Sequence, residues 1–474
     1  MQALTSPRLR LPILLLVALV ARALTLGDPV LHVDEEFYYV VGHAMWHGQL
    51  PFVDVWDRKP VGLFLLYAIP AALGFPAGIW AYQLLALACV VGTAWGIARL
   101  AERAGFAAGA TAAAVTYVLW LNLLGGQGGQ SPVFYNLLTI AAALLILRTD
   151  TAPGRRRRGA GAMALIGIAL QIKYSVLFEG MFLGLWLLAE EWRHVRRPLA
   201  LIGYAATLIA VALLPTALAA GYYGAIGAWD DFVYANFLSI FHRNPDPIAE
   251  LASNLGQIVL ITAPLVALAV LALRRASPSR ERRFLAIWLA VAAVGVLIFR
   301  PWFDHYSLPL LLPACAAAAG MLGGDWWRGR RLAALLATAA LAGQVVIATL
   351  IAGRGSPVQF AALARAVGRG PGCLYVYSGT TMLYVATGRC ALSRYIVPAH
   401  LGRAREAGAT GVDQDAEIRR ILAAHPAVVV MRPPYNGERP AAHRLVLAAM
   451  ARDYRLAAQL PMGNEAISVY RPRR

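Results

Sequence analysis

The residues of this chain best suited to chemistry crowd between His32 and Gly62, which reads HVDEEFYYVVGHAMWHGQLPFVDVWDRKPVG. Three acids stand in a row, Asp34, Glu35 and Glu36, and a second charged group, Asp54, Asp57, Arg58 and Lys59, ends in Pro60. A carboxylate at a membrane surface, its pKa raised by burial, can take the proton of an acceptor hydroxyl. Asp34 and Glu35 are the candidates for that work. The same acids ahead of FYYVVGHAMW also suit a helix start, where negative charge meets the positive end of the helix dipole; Glu36 fits that second role best. Arg58 and Lys59 offer cations to a phosphate. The chain has 43 basic residues but only two lysines, Lys59 and Lys173, and lysine is a compact donor matched to phosphate oxygens. Snorkelling to the membrane surface would account for Lys173 equally well. A third group, Arg300-Pro301-Trp302-Phe303-Asp304-His305-Tyr306, sets a phosphate clamp, Arg300, beside an acid that could orient His305 or share a metal with it. Its alternative is an aromatic interfacial belt with a charged rim. No tight metal-ligand cluster is visible, and the cysteines show no zinc spacing.

These groups are set in an apolar chain. Of 474 residues, 59% are hydrophobic and 14% charged, against about 25% charged in a soluble domain. Mean hydropathy is +0.58, and many apolar runs approach the ~20 residues needed to cross a bilayer. The expected fold class is an all-α polytopic membrane protein. The net charge of +18 does not point to nucleic acid, because the arginines lie in short clusters between apolar runs, as loop charges on the cytoplasmic side do.

Eleven spans account for the pattern, at roughly 9–27, 78–98, 105–121, 132–148, 159–173, 176–190, 199–221, 254–273, 284–299, 306–323 and 332–352. Alternate loops then carry Arg99/Arg103, Arg148 with Arg155 to Arg158, Arg193/Arg196/Arg197, Arg274/Arg275/Arg280/Arg282/Arg283 and Arg328/Arg330/Arg331, which satisfies the positive-inside rule. The rule holds only if the 28–77 loop stays outside and the apolar run Val61–Phe75, cut by Pro70, does not cross. A cleaved signal peptide is the rival reading of the first segment, with Ala21-Arg22-Ala23 as its small-residue site. Residues 1–353 are therefore expected to form the membrane domain, and 354–474 a small α/β domain outside the membrane. In this tail CLYVYSG (373–379), AVVVMRP (427–433) and Glu465 to Arg471 read as strands, and Phe360 to Val367 and Asp413 to Ala424 as helices. A Cys373–Cys390 disulfide would suit an oxidising periplasm; two unpaired thiols are the alternative.

At this point the motifs resemble a family. Asp34-Glu35 with Tyr38-Tyr39, then Gly48-Gln49-Leu50-Pro51-Phe52-Val53-Asp54 and Trp56-Asp57-Arg58-Lys59-Pro60, is similar to the first periplasmic loop of bacterial family 39 (GT-C) glycosyltransferases, relatives of protein O-mannosyltransferases and of the lipid A aminoarabinose transferase. Asp304-His305-Tyr306 followed by Leu308-Pro309-Leu310 resembles a second family stretch, and Lys173 at a helix end a third. The resemblance covers about residues 10–350. It implies a polyprenyl-phosphate sugar donor and inverting transfer on the periplasmic face of the bacterial inner membrane. Asp34 and Glu35 would be the catalytic acids, and Arg58, Lys59, Lys173 and Arg300 the donor-phosphate contacts. Tyr38, Asp57, Asp304, His305 and Tyr306 would line the acceptor or substrate site. The chain departs from the pattern at Val61, where the family often has a second proline. It departs again in the second outer loop, NLLGGQGGQS (122–131), which lacks the usual acid; Gln127 or Gln130 takes that place.

The function expected is an integral membrane glycosyltransferase, hexosyl or pentosyl, acting on an envelope glycan, lipid or protein. No particular cofactor is indicated, and a divalent metal stays open. A transporter or flippase of a lipid-linked glycan is the alternative, but transporters place polar residues mid-span, often in broken helices, whereas here charge gathers at span ends.

Overall fold

The computed structural model of the chain describes residues 7–148, 152–327 and 329–473; Arg328, expected in a basic loop, lies outside them. Along the chain the helices are α1 (Arg10–Arg22), α2 (Val33–Met45), α3 (Val61–Ala71), α4 (Ala77–Arg103), α5 (Ala110–Leu121), α6 (Ser131–Ile146), α7 (Ala152–Leu170), α8 (Leu177–Val195), α9 (Pro198–Ala225), α10 (Trp229–Val233), α11 (Ile248–Arg275), α12 (Arg280–Ile298), α13 (Leu311–Leu322), α14 (Arg330–Arg354) and α15 (Pro357–Val367). The tail adds strand β1 (Leu374–Val376), helices α16 (Met382–Thr387), α17 (Pro398–Gly402) and α18 (Gln414–Ala423), strand β2 (Val428–Met431), helix α19 (Pro440–Asp453), and strands β3 (Tyr454–Met462) and β4 (Glu465–Pro472).

A helix occupies each of the eleven expected spans, and the protein is a polytopic helical membrane protein with a small C-terminal sheet. Among the described residues, five helical stretches are long and apolar enough to cross a bilayer by length and composition alone: Ala77–Arg103, Pro198–Ala225, Ile248–Arg275, Asp304–Leu322 and Arg330–Val367. The 61–75 run becomes α3, of 11 residues. At 1.5 Å per residue that is about 16 Å, half the ~30 Å hydrocarbon core.

The chain divides into two compact units, residues 1–24, 84–219 and 247–347 in one, and 25–83, 220–246 and 348–474 in the other. The division does not follow the 353/354 boundary drawn on sequence. The tail shares its unit with the first loop and with the 220–246 connection. In the first unit α1 lies on α5, α6 on α7, and α13 between α5 and α11. Here α1 is tied by charge: Arg10 is buried and donates to Thr111 Oγ1 at 3.1 Å and to Glu102 Oε1 at 2.6 Å.

In the second unit α2 and α3 pack closely at Gly42, where a Cβ would meet Ala68 N at 2.7 Å; only glycine permits that approach. The tail sheet runs β1-β2-β4-β3, with β1 parallel to β2 and the other pairs antiparallel. Strand β2, VVVM, is fully buried, as a continuous apolar central strand should be. Its helices start where the side chains allow. Ser356 and Gln359 form a capping box on α15, and Asp413 accepts from two backbone N–H groups of α18. Helix α19 and strand β3 carried no clear signal in the sequence.

Cys373 and Cys390 are bonded, closing the β1–α16 segment. Thiol labelling of the denatured protein should require prior reduction. Replacing both by Ser should destabilise the tail by about 2–4 kcal/mol, read by thermal unfolding of the full chain. Labelling without reductant would remove the bridge from the account.

Candidate active site

In the second unit the three acids occupy the first turn of α2, which His32 caps: its Nδ1 accepts from the Asp34 N–H at 3.4 Å. Successive helical residues turn by ~100°, so the acids leave in three directions. Glu35, 1% exposed, accepts from the Tyr82 hydroxyl at 3.3 Å. Glu36, 3% exposed, accepts from Arg354 at 2.5 Å and from the Thr380 hydroxyl at 2.5 Å. Burial holds the Glu36 carboxyl above its ordinary value, against the downward pull of Arg354 and Thr380. Asp34 is half-buried.

Phe37 and Tyr38 stand three and four residues on from Asp34, on the same helix face, and helical side chains lean toward the N-terminus. The Lys59 ammonium lies over both rings, 5.4 Å from the Phe37 centroid and 5.8 Å from that of Tyr38. The lysine and Asp34 therefore serve one face of α2. Behind it Tyr38 meets Tyr67 edge-on at 5.4 Å. Burial first, then Glu35 and its neighbours including Asp34, push the Tyr67 hydroxyl well above its ordinary value.

Asp57 and Arg58, expected to touch substrate and donor phosphate, are engaged otherwise. Every nitrogen of the Arg58 guanidinium has a partner: Nε donates to Ser239 Oγ at 2.9 Å, Nη2 to the Ala409 carbonyl at 3.1 Å, and Nη1 pairs with Glu406 at 2.6 Å. Its plane also covers Trp56, 4.8 Å to the centroid. Asp57 is buried, accepts from the Lys59 N–H at 2.9 Å and faces His400 Nε2 at 3.4 Å. Burial would raise the Asp57 carboxyl, but Lys59 and His400 outweigh it and hold it low. The Glu406 carboxyl is lowered too, burial being outweighed by Arg58 and Arg243, the latter at 2.9 Å. The physical reason for the difference is distance in sequence: Ser239, His400, Ala409 and Glu406 lie too far along the chain for a local motif to announce them.

In the first unit Lys173 and Tyr306 come together, the ammonium 4.1 Å from the ring centroid. Asp304 Oδ1 accepts from the His305 N–H at 2.7 Å and faces its Nδ1 at 3.3 Å. The Asp304 carboxylate lies against Gly125, where φ is +69° and a Cβ would sit 2.7 Å from Oδ1. The second loop, which has no acid of its own, thus meets one from the 300–306 loop. Gln127 and Gln130 are buried in that second loop. Arg22, which the sequence offered only as part of a cleavage site, holds the loop: it is 2% exposed and donates to the Gly128 carbonyl at 2.9 Å and to the Gly126 carbonyl. Arg300 is exposed and covers Trp302 of its own loop, 5.2 Å to the centroid. Among the described residues no group of three or more His, Cys, Asp or Glu is placed to hold a metal ion.

The Arg58–Glu406 tie makes a stability prediction. Asp57 and Glu406 have folded values below the ordinary 3.8 and 4.5, so as pH falls the unfolded chain binds protons first. Their contribution is complete above about 4.5 and is lost as pH drops through the folded values. Arg58→Ala should cost about 3 kcal/mol at neutral pH, because it strips a partner from a buried carboxylate, and should flatten the acid limb of the stability profile. Glu406→Gln in the same protein should recover part of the loss. Unchanged unfolding of Arg58→Ala from pH 3 to 7 would show that the network carries no stability.

No family model matches the chain, and no curated protein matches it by sequence. Solved structures do match. The crystal structure of ArnT from Cupriavidus metallidurans bound to undecaprenyl phosphate aligns with a TM-score of 0.66 at 15% identity, over 97% of both chains. Its apo state aligns with the same score at 14%. The Archaeoglobus fulgidus oligosaccharyltransferase, in complex with Zn and sulfate, aligns with a TM-score of 0.52 at 14% identity, over 89% of this chain and 67% of its own. The chain thus shares the fold of these solved structures, with the eleven helical segments described above.

Proposed function

We propose that the chain is an integral glycosyltransferase of the bacterial inner membrane that moves a sugar from a polyprenyl-phosphate donor to a hydroxyl of an envelope glycan, lipid or protein on the periplasmic face. One observation carries the reading: Asp34 is the member of the acid triad left half-buried, and the Lys59 ammonium stands on its face of α2. The fold supports it, since the ArnT neighbour binds undecaprenyl phosphate, a lipid of the proposed donor's class.

In the proposed step Asp34 takes the proton of the acceptor hydroxyl. The oxygen attacks the anomeric carbon opposite the phosphate. The bond from that carbon to the phosphate oxygen breaks, and its electron pair leaves with the polyprenyl phosphate. Lys59 stabilises the charge that develops there, and Tyr38, in the same unit, is proposed to line the sugar path. Lys173, Arg300, Gln127, Gln130, Asp304, His305 and Tyr306, all of the first unit, are proposed as substrate contacts on the motif resemblance alone. Asp57 and Arg58 are assigned to holding the loop rather than to touching substrate, and Glu35 to bracing α2 through Tyr82.

The test is transfer from a synthetic polyprenyl-phosphate sugar by purified protein. Asp34→Asn keeps size and hydrogen bonding and removes only the charge, so it should slow transfer by at least about 10²-fold while donor still binds. Glu35→Gln should do less harm. Lys59→Ala should weaken donor use strongly, with partial rescue by Lys59→Arg, which keeps charge but changes shape. Near-wild-type rates for both Asp34→Asn and Glu35→Gln would overturn the transferase reading.

Orientation is tested separately. Reporters fused at Gly74 and after Gly355 should both read as periplasmic, on the arginine pattern of the loops. A cytoplasmic reading at Gly74 would mean that α3 crosses and that the proposed sidedness is wrong.

A further inference from the structure

A cavity of ≈ 320 Å³ opens within the second unit beside the first turn of α2. Its wall brings three guanidiniums, of Arg354, Arg403 and Arg432, against two carboxylates, Glu36 and Glu465, so positive charge is in excess. Arg354 is committed to Glu36 and to the Val30 carbonyl at 2.9 Å. Arg432 is held differently. Its guanidinium lies on the Tyr435 ring, 3.6 Å to the centroid, which fixes the plane of the fork. Its Nη1 reaches Glu465 only at 3.4 Å, and its Nε is buried with no hydrogen-bond partner among the described residues. A carboxylate or phosphate in the cavity would give the guanidinium the close charged acceptor that Glu465 offers only at 3.4 Å, and a planar, preorganised guanidinium is the side chain best shaped for bidentate contact.

The remaining wall suits a sugar. Ser378 accepts the Arg432 backbone N–H at 2.9 Å and keeps its own hydroxyl proton to donate. Gly379 leaves backbone open beside it, and the Tyr435 ring completes that side of the wall. The volume lies at the small end of the ~300–1,000 Å³ of ligand sites, room for one ring and its charged group. Val33 also lines the cavity, as does Glu36 one turn on along the same side of α2, and Asp34 is the next residue in the chain.

We infer that this cavity is the acceptor subsite and takes an anionic sugar, a monosaccharide unit bearing a carboxylate or phosphate, with Arg432 as the anion clamp. The word acceptor rests on the transferase reading; the affinity for an anionic sugar does not. Four probes, glucuronate, glucose 6-phosphate, glucose and inorganic phosphate, are titrated calorimetrically into the purified full chain in detergent. At least one of the two anionic sugars should bind, more tightly than either glucose or inorganic phosphate. Arg432→Gln should weaken it at least about tenfold, the loss of a charge-assisted hydrogen bond. Arg432→Lys, which keeps the charge without the fork, should fall between. Thermal unfolding verifies that each variant is folded, and Ser378→Ala, a smaller change in the same wall, gives a second reading of lowered affinity. No binding by either anionic sugar, equal binding of glucose, equal binding of inorganic phosphate, or affinity unmoved by the Arg432 variants each overturns the inference. If glucuronate binds through Arg432 but the protein never uses a polyprenyl-phosphate sugar, the transferase reading fails and the anionic-sugar site remains. If transfer proceeds and no anionic sugar binds, only the present inference fails.

Discussion

Three consecutive carboxylates at one helix end repel one another, and the second unit is built around dividing them. Unit charges roughly 6 Å apart repel by about 3 kcal/mol at an effective dielectric near 20, a large fraction of a domain's net stability. The positive end of the helix dipole offsets part of this. The rest is settled by sending each acid to a different partner: Glu36 to Arg354 and Thr380, Glu35 to Tyr82, and Asp34 to the half-buried face that Lys59 shares. Arg354 ends α14 and Thr380 follows β1, so neutralising Glu36 brings the last long helix and the tail sheet to the start of α2.

The WDRKP stretch extends the same logic. Asp57 and Arg58 look exposed to chemistry in the sequence, yet both carry partners from far along the chain and lie low in solvent access. A guanidinium with all three nitrogens engaged is a rigid anchor. Lys59, the next residue, donates its backbone N–H to Asp57 and sets its ammonium over Phe37 and Tyr38.

In the first unit the loops are arranged by a similar exchange. Arg22 pins the backbone of the glycine-rich 122–131 loop, which has no charge with which to order itself. The absence of side chain at Gly125 admits the Asp304 carboxylate. Lys173 finds the face of Tyr306, an attraction that strengthens when the pair is desolvated.

Much of this was determined by the sequence alone. Hydrophobic length and the arginine alternation specify a polytopic helical protein, because bilayer thickness and backbone hydrogen bonding leave few other solutions. The acid triad before an aromatic run specifies a helix start, and 373–379, 427–433 and 465–471 read as strands from their apolar, β-branched content. The roles within the motifs were decided only by tertiary structure. Nothing local announces the partners of Arg58 and Glu36: Glu406 and Arg354 lie hundreds of residues away. The cavity under Arg432 was equally illegible, since its wall is drawn from the α2 start, the α14 end and the loops of the tail sheet. Side-chain pattern sets which elements form, and long-range charge pairing sets which of their residues remain available for chemistry.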